Sequence, residues 1–261
     1  MDLLGHKPEE LFALSPEGLR EEYGLSPAVA ARLFERGTKV PDEVAETIDH
    51  LERFGVGLVT TADAHYPARL EAFEPDPPSA LYIYGNTKLM QARTFAVLSS
   101  RSASSQALSR IEKLAEEGVL NAEILVTGHN RPEYMRGAVV PLRWGSPRIL
   151  CLDRGLFSTL GDTLSEEPFA AARLWRYKFD PETDLALSPV RPRAGFVRSF
   201  NKVRDHLVAG LSERIDFVHI RPGGNMDRLA RMALKAGRSV RVLASDPEAA
   251  SYEDLGAGLL E

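Results

Sequence analysis

The 261-residue sequence contains one cysteine, Cys151. One thiol cannot form an internal disulfide or a zinc site built from several cysteines, so we expect a reducing, cytoplasmic environment. The longest apolar runs fall well short of the roughly 18 residues that a membrane helix needs. The first residues, MDLLGHKPEE, have neither the basic start nor the apolar stretch of a signal peptide. Membrane and disulfide-rich classes are therefore excluded in favour of a soluble globular protein.

Negative charge predominates slightly, with a formal net charge of −5, but the charges are unevenly distributed. Residues 131–241 carry 20 lysines and arginines against 12 acidic residues. Such a basic segment is one signature of a polyanionic partner. A protein of mixed charge with a few arginine-rich helices would show the same pattern, and composition does not separate these interpretations.

Turn residues separate three smaller predicted regions from the main body of the chain, residues 91–245. Residues 1–54 read as a small helical domain, with Ser15-Pro16 and Ser26-Pro27 as helix starts. Residues 55–90 are predicted to be a connector packed on the core, with two short strands and prolines that exclude a regular helix from 67–78. Residues 246–261 are predicted to form an acidic tail.

Residues 91–245 alternate between apolar strands and amphipathic helices. The strands are predicted at 94–99, 123–128, 148–153, 184–190, 216–220 and 239–244, and the stretch 154–183 is the least regular. This rhythm predicts an α/β fold, a Rossmann-like and mostly parallel sheet with helices on both faces.

In such sheets, ligands bind where the strands end. Two glycines at the start of a helix, in Pro222-Gly223-Gly224-Asn225, allow backbone N–H groups to approach a phosphate. Hydroxyl and guanidinium groups after the first strand would add donors. A strand-to-helix turn and an exposed polar loop are the alternatives. The candidate phosphate-binding residues at the strand ends are Ser99, Ser100, Arg101, Ser102, Gly128, Gly223, Gly224 and Asn225.

Two predicted helices add positive charge. The segment 198–212 carries Lys202, Arg204 and His206 beside Phe200, an arrangement that suits single-stranded nucleic acid unless Phe200 belongs to the core. The helix from Asn225 has a basic stripe of Arg228, Arg231, Lys235 and Arg238, which is either a solvated face or a phosphate track.

Catalytic signatures are missing from the sequence. There is no GxxxxGK[ST] loop, no GxGxxG, no HExxH and no cysteine–histidine metal spacing. We therefore expect no catalytic residues, no metal site and no cofactor.

The segment Gly55 to Asn86 closely resembles the DprA/Smf family of DNA-processing proteins, with Tyr66-Pro67, Asp76-Pro77-Pro78 and Leu81-Tyr82 at the family's motif positions. Weaker similarity extends to about residue 245. The chain departs from the family pattern in three places. Ser99 stands where the family has a first-turn glycine, and Asp205 and His206 stand where it has the Asn and second Arg of an Arg-Asn-Arg element. The segment TGHNRPEYM replaces a Ser-Gly-rich element of which only Gly128 is kept.

The resemblance implies a Rossmann-like homodimer that binds single-stranded DNA and loads a RecA-type recombinase during natural transformation. It carries a binding role to Ser100, Arg101 and Arg204. No C-terminal winged-helix domain is expected. A nucleotide-binding protein, either a sensor or one similar to the phosphoribohydrolases, remains one alternative, and a structural partner protein with an inactive pocket is another.

Overall fold

The computed structural model describes residues 13–37 and 42–261. The chain divides into two compact units, residues 1–54 and 55–261. The described residues of the first unit form three helices from Pro16 onward, α1 (Pro16–Tyr23), α2 (Pro27–Gly37) and α3 (Asp42–Arg53). As predicted, Ser15 caps α1, because its hydroxyl accepts the Gly18 N–H at 3.1 Å. Residues 1–12 and 38–41 of the predicted helical domain lie outside the described residues.

Within the described residues, the second unit is built on one nine-stranded sheet of order β1-β2-β6-β5-β4-β3-β7-β8-β9. All pairs from β6 to β9 in this order are parallel, and β1 and β2 add in antiparallel orientation. The predicted class, a mostly parallel sheet with helices, is therefore confirmed. The strands are β1 (Gly57–Thr60), β2 (Ala80–Gly85), β3 (Thr94–Ser99), β4 (Ile124–Thr127), β5 (Arg148–Cys151), β6 (Leu185–Ser188), β7 (Arg214–His219), β8 (Ser239–Leu243) and β9 (Gly258–Leu260).

The connections between these strands are mostly helical. None of the described helices has the length and apolar character that a membrane crossing requires. The helices of this unit are α4 (Ala68–Phe73), α5 (Ser105–Leu120), α6 (Pro132–Ala138), α7 (Val140–Trp144), α8 (Leu156–Leu160), α9 (Ala170–Leu174), α10 (Phe200–Leu211), α11 (Asn225–Lys235) and α12 (Ala249–Glu253), with a 3-10 helix at Thr87–Gln91.

Both faces of the sheet are covered, as β3 shows. Ala96 and Leu98 point to one face and join a cluster that contains Leu207 of α10 and Leu229 of α11. The alternate residues of β3, which include Phe95, point to the other face and pack with α5. Since successive strand residues alternate between faces, a strand that is buried throughout needs a helical layer on each side.

Several segments differ from their predicted structure. The proline-rich stretch contains α4, because Pro67 occupies the N-cap position and the next proline, Pro75, comes after the helix has ended. The segment predicted as an acidic tail contains α12 and β9, and β9 extends the sheet beside β8. The irregular stretch 154–183 contains α8 and α9.

A buried ion cluster anchors the start of β5. The Arg148 side chain has no exposed surface and pairs with Glu167 at 2.5 Å and with Asp184 at 3.0 Å. Its Nη1 also donates to the Ala138 carbonyl oxygen at 3.0 Å. Burial raises the pKa of Asp184 and outweighs the opposing effect of Arg148. The cluster ties the 154–183 segment to the sheet.

We expect Arg148→Met to lower the free energy of unfolding by about 3–5 kcal/mol, because it leaves the Glu167 and Asp184 carboxylates buried without their cation. The urea midpoint of the variant measures this loss. Arg143→Met is the control, since Arg143 pairs with Glu112 at 2.6 Å on the exposed surface and such pairs contribute about 0–1 kcal/mol. Equal midpoints for the two variants would contradict the expectation.

Candidate functional site

The strand order reverses at β3. The chain proceeds from β3 to β4 and β5 on one side and returns later to place β7 on the other side. The loops after β3 and β7 therefore diverge and leave a crevice at the carboxyl ends of these strands, the usual ligand position in open α/β sheets.

A groove of about 440 Å³ occupies this crevice. Four segments contribute to it: the β3–α5 turn, the start of α6, the first turns of α10 and the β7–α11 turn. The residues that line it are Ser99, Ser100, Arg101, Arg131, Arg198, Ser199, Asn201, Lys202, Asp205, Arg221, Gly224, Asn225, Met226 and Arg228.

The groove is strongly cationic. Of the described residues that line it, six are arginine or lysine and one is acidic. The side chains of Arg101, Arg131, Arg198, Lys202 and Arg228 pair with no carboxylate in the described part of the chain. Positive charges held close together without counter-ions create a field that attracts an anion.

Asp205 does not cancel this field. Its Oδ1 lies 2.8 Å from Arg204 Nη2 and accepts the Tyr134 hydroxyl at 2.8 Å. Its Oδ2 accepts the Asn225 amide at 3.1 Å. Arg204 also pairs with Asp153, which Arg154 contacts at 3.1 Å, so two guanidinium groups balance these two carboxylates behind the groove wall. The groove therefore stays positive although one carboxylate lies in its wall.

The glycine turn orders the edge of the groove. Gly223 has φ +68°, a left-handed conformation that favours glycine. Its N–H donates to Asp227 Oδ2 at 2.7 Å, and the Gly224 N–H donates to the Arg221 carbonyl oxygen at 3.0 Å. These two N–H groups are thus engaged within the turn. α11 begins at Asn225, as predicted, and its positive N-terminal end faces the groove.

The serines after β3 hold the two loops together. Both Ser99 and Ser100 are buried. The Ser100 hydroxyl accepts the Arg221 N–H at 2.9 Å, and the Ser100 N–H donates to the His219 carbonyl oxygen at 2.8 Å. Ser100 therefore joins the β3 turn to the β7 turn and places Arg101 and Arg221 on the same groove.

Arg204, predicted as a phosphate ligand, lies behind the groove wall. Its side chain is 0% exposed. Its Nη1 donates to Asp153 Oδ2 at 2.6 Å and to the His129 carbonyl oxygen at 2.7 Å. Because the side chain is buried and each of its three nitrogens already has an acceptor, Arg204 is placed to support the groove wall rather than to contact a ligand.

Four other predicted residues lie outside the groove lining. Ser102 lines a separate cavity beside α5, and His206 lines a third one, where it pairs with Glu74. Gly223 belongs to the turn but not to the lining. Gly128 supports the wall, because a Cβ at this position would lie 2.7 Å from the Tyr134 ring. Six predicted residues do line the groove: Ser99, Ser100, Arg101, Lys202, Gly224 and Asn225.

Four arginines of the groove were not among the predicted site residues: Arg131, Arg198, Arg221 and Arg228. Each lies just after a strand or at the start of a helix, which is the sequence signal that could have identified them. The predicted basic stripe on α11 does not act as a unit. Arg231 pairs with Asp227 at 2.7 Å, and Arg238 donates to the Gly210 carbonyl oxygen at 3.3 Å, so Arg228 is the member that reaches the groove.

The described residues contain no cluster of metal-binding side chains. Among the described residues, no group of three or more histidine, cysteine or acidic side chains is arranged to hold a metal ion. Burial raises the pKa of the Cys151 thiol, which keeps the thiol in its neutral form.

The fold and the groove together define a Rossmann-like α/β protein with an arginine-lined crevice at its switch point. Residues 57–131 match the family model of DNA recombination-mediator protein A, DprA. No curated protein matches the chain.

Two solved structures share this fold. DNA processing protein A (DprA) from Streptococcus pneumoniae is similar with a TM-score of 0.71 and 22% identity, over 95% of this chain and 83% of that one. DprA from Helicobacter pylori, described for its single-stranded DNA binding mode, has a TM-score of 0.58 and 19% identity, over 79% of this chain and 91% of that one. The resemblance to the DprA family is thus confirmed.

Two variants distinguish a structural role of Arg204 from the ligand-binding role proposed for Arg101. We expect Arg204→Ala to lower the free energy of unfolding by about 3–5 kcal/mol, because Asp153 and Asp205 lose their buried cation. Arg101→Ala removes an exposed side chain and should leave stability within about 0.5 kcal/mol. Urea denaturation of both variants measures the difference. A fully stable Arg204→Ala protein would restore Arg204 as a candidate ligand contact.

The glycine turn gives a pH-dependent prediction. Burial raises the pKa of Asp227, but a hydrogen bond from Tyr252 and the Gly223 N–H outweigh it and lower the pKa below its ordinary 3.8. A lowered carboxyl pKa adds stability above 3.8 that is lost as the pH falls through the folded-state value. Asp227→Asn should therefore cost about 1 kcal/mol at pH 7 and less at pH 3. Thermal melts at both pH values test it, and a pH-independent difference would contradict it.

Proposed function

We propose that the chain binds single-stranded DNA through the groove between the β3–α5 and β7–α11 turns. The observation that carries this proposal is the set of six cationic side chains around a crevice whose one acidic residue is neutralised from behind. Exposed arginines present several N–H donors in a fixed geometry that matches phosphate oxygens.

The lining favours a phosphate backbone over a whole nucleotide. Pockets for small ligands are mostly apolar and bury the base between hydrophobic walls. Among the described residues that line this groove, Met226 is the apolar one. A base would therefore find little to stack on inside the groove, whereas a run of phosphates would meet a cation from each of the four contributing segments.

The family likeness extends this proposal to a biological role. DprA from Helicobacter pylori is described as binding single-stranded DNA, and this chain has its fold. We propose that the chain processes incoming DNA in the cytoplasm during natural transformation, as a homodimer that hands the strand to a RecA-type recombinase. The proposed action consists of binding, without a catalytic step.

A nucleotide remains the second candidate ligand, because a groove of about 440 Å³ is large enough for one. A ligand that binds the folded state alone raises the melting temperature. A thermal-shift comparison of nucleoside mono-, di- and triphosphates with oligo-dT separates the two candidates.

We expect fluorescence anisotropy to show binding of labelled oligo-dT that weakens steeply with salt. If the six cations each neutralise one phosphate, the logarithm of the association constant falls with the logarithm of the salt concentration with a slope of about −4. Arg101→Ala and Arg228→Ala should each weaken binding at low salt and reduce the slope by somewhat less than 1. A duplex of equal length should bind more weakly.

Lys235→Ala is the matched control for Arg228→Ala. Both positions are exposed cations on α11, and Lys235 does not line the groove. The control should leave affinity nearly unchanged. Equal losses in the two variants would indicate attraction by net charge rather than by the groove, and no binding at low salt would overturn the proposal.

A further inference from the structure

Two adjacent apolar side chains at the end of α9 project into solvent. Leu174 is 84% exposed and Trp175 is 73% exposed. Single exposed apolar residues are common and need no explanation, but an exposed tryptophan next to an exposed leucine forgoes substantial burial energy. The neighbouring Phe169 and Ala172 are buried, so the segment itself is packed on the protein.

Basic residues flank this pair in the sequence, and the exposed Glu166 lies across an isolated β-bridge from Lys178. We define the Trp175 patch as Arg173, Leu174, Trp175, Arg176 and Lys178. Its three cationic residues are exposed, and residues 171–179 contain no acidic side chain. Arg173 donates to the carbonyl oxygens of Glu167 at 2.8 Å and Pro168 at 3.2 Å, contacts that orient the guanidinium without neutralising it.

The composition of the patch narrows the choice of partner. A membrane surface would require a longer amphipathic helix, whereas α9 has five residues and its Ala172 faces inward. An exposed indole between cations matches single-stranded nucleic acid, in which bases stack on aromatic rings and phosphates meet arginine and lysine. We propose that the Trp175 patch is a second contact site for single-stranded DNA, with Trp175 as its stacking surface.

The patch lies within reach of a strand held in the groove. The Phe169 ring, at the start of α9, lies 5.8 Å from the His129 ring, and His129 precedes the groove residue Arg131 by two positions. Chain geometry limits the separation of Arg131 and Trp175 to roughly 30 Å. A strand of about ten nucleotides at ~3.4 Å each spans that distance. The inference rests on the proposed function of the groove.

Intrinsic fluorescence can test this contact directly, because the sequence has two tryptophans, Trp144 and Trp175. The variant Trp144→Phe leaves Trp175 as the sole indole. We expect oligo-dT of about 20 nucleotides to quench its fluorescence by roughly half or more, since a stacked base contacts the ring face. Labelled-oligonucleotide anisotropy, recorded on the same samples, reports binding independently of tryptophan.

Trp144 provides the matched control. It is 51% exposed, but its indole donates to Glu116 at 3.1 Å, so a carboxylate lies against it. In Trp175→Phe, where Trp144 is the sole indole, the same oligonucleotide should bind with little quenching. Trp175→Ala should weaken binding of the 20-mer by roughly fivefold or more and leave a hexamer, which fills the groove alone, unaffected. Its melting temperature should match that of the parent chain.

The outcomes distinguish this inference from the proposed function. Saturating anisotropy without a change in Trp175 fluorescence, or a 20-mer affinity that Trp175→Ala leaves intact, would overturn the second contact site and leave the groove proposal standing. A patch that is instead covered by a protein would give this result. Absence of oligonucleotide binding in both assays would overturn both proposals.

Discussion

The buried guanidinium of Arg204 is the interaction on which the groove depends. It joins α10 to the segments that follow β4 and β5, through the His129 carbonyl oxygen at 2.7 Å and Asp153 at 2.6 Å. It also neutralises Asp205, the acidic residue of the groove wall. Burial by itself raises the pKa of Asp153, but the nearby His129 imidazole, 3.9 Å away, and the Arg204 charge outweigh it and lower the pKa. Arg204 thus helps to fix the geometry of the groove wall and keeps Asp205 from offsetting the cations in front of it.

Arginine has two distinct uses in this chain. Arg148 and Arg204 anchor opposite ends of the β5 region, and both are buried and paired with two carboxylates each. The groove arginines are exposed, apart from the half-buried Arg131, and lack carboxylate partners in the described part of the chain. A buried ion pair adds little net stability, because desolvation offsets the attraction, but removal of one partner is costly. We infer that the buried pairs position the loops and that the exposed cations are available to a ligand.

Helix geometry explains why part of the predicted site proved misplaced. Lys202 and Arg204 are close in sequence, but two residues on an α-helix differ by about 200° in direction. Lys202 and Asp205, three residues apart, therefore share the groove face, whereas Arg204 points into the protein. His206 lies one turn beyond Lys202 and reaches Glu74 instead. The basic residues of this helix therefore do not form one surface: Lys202 lines the groove, Arg204 points inward, and His206 lies one turn away from the groove.

The amino-acid sequence by itself determined strands β1 to β8 and the longer helices between them, because apolar runs, serine caps and glycine turns act over a few residues. It also predicted the β3 and β7 turns as the candidate ligand edge, since that edge follows from the β/α rhythm. Tertiary structure decided which cations share the groove, that Asp205 is neutralised, and that β9 extends the sheet. These features depend on contacts between residues far apart in the chain, such as Tyr134 with Asp205 and Ser100 with Arg221, whose distances no local pattern encodes.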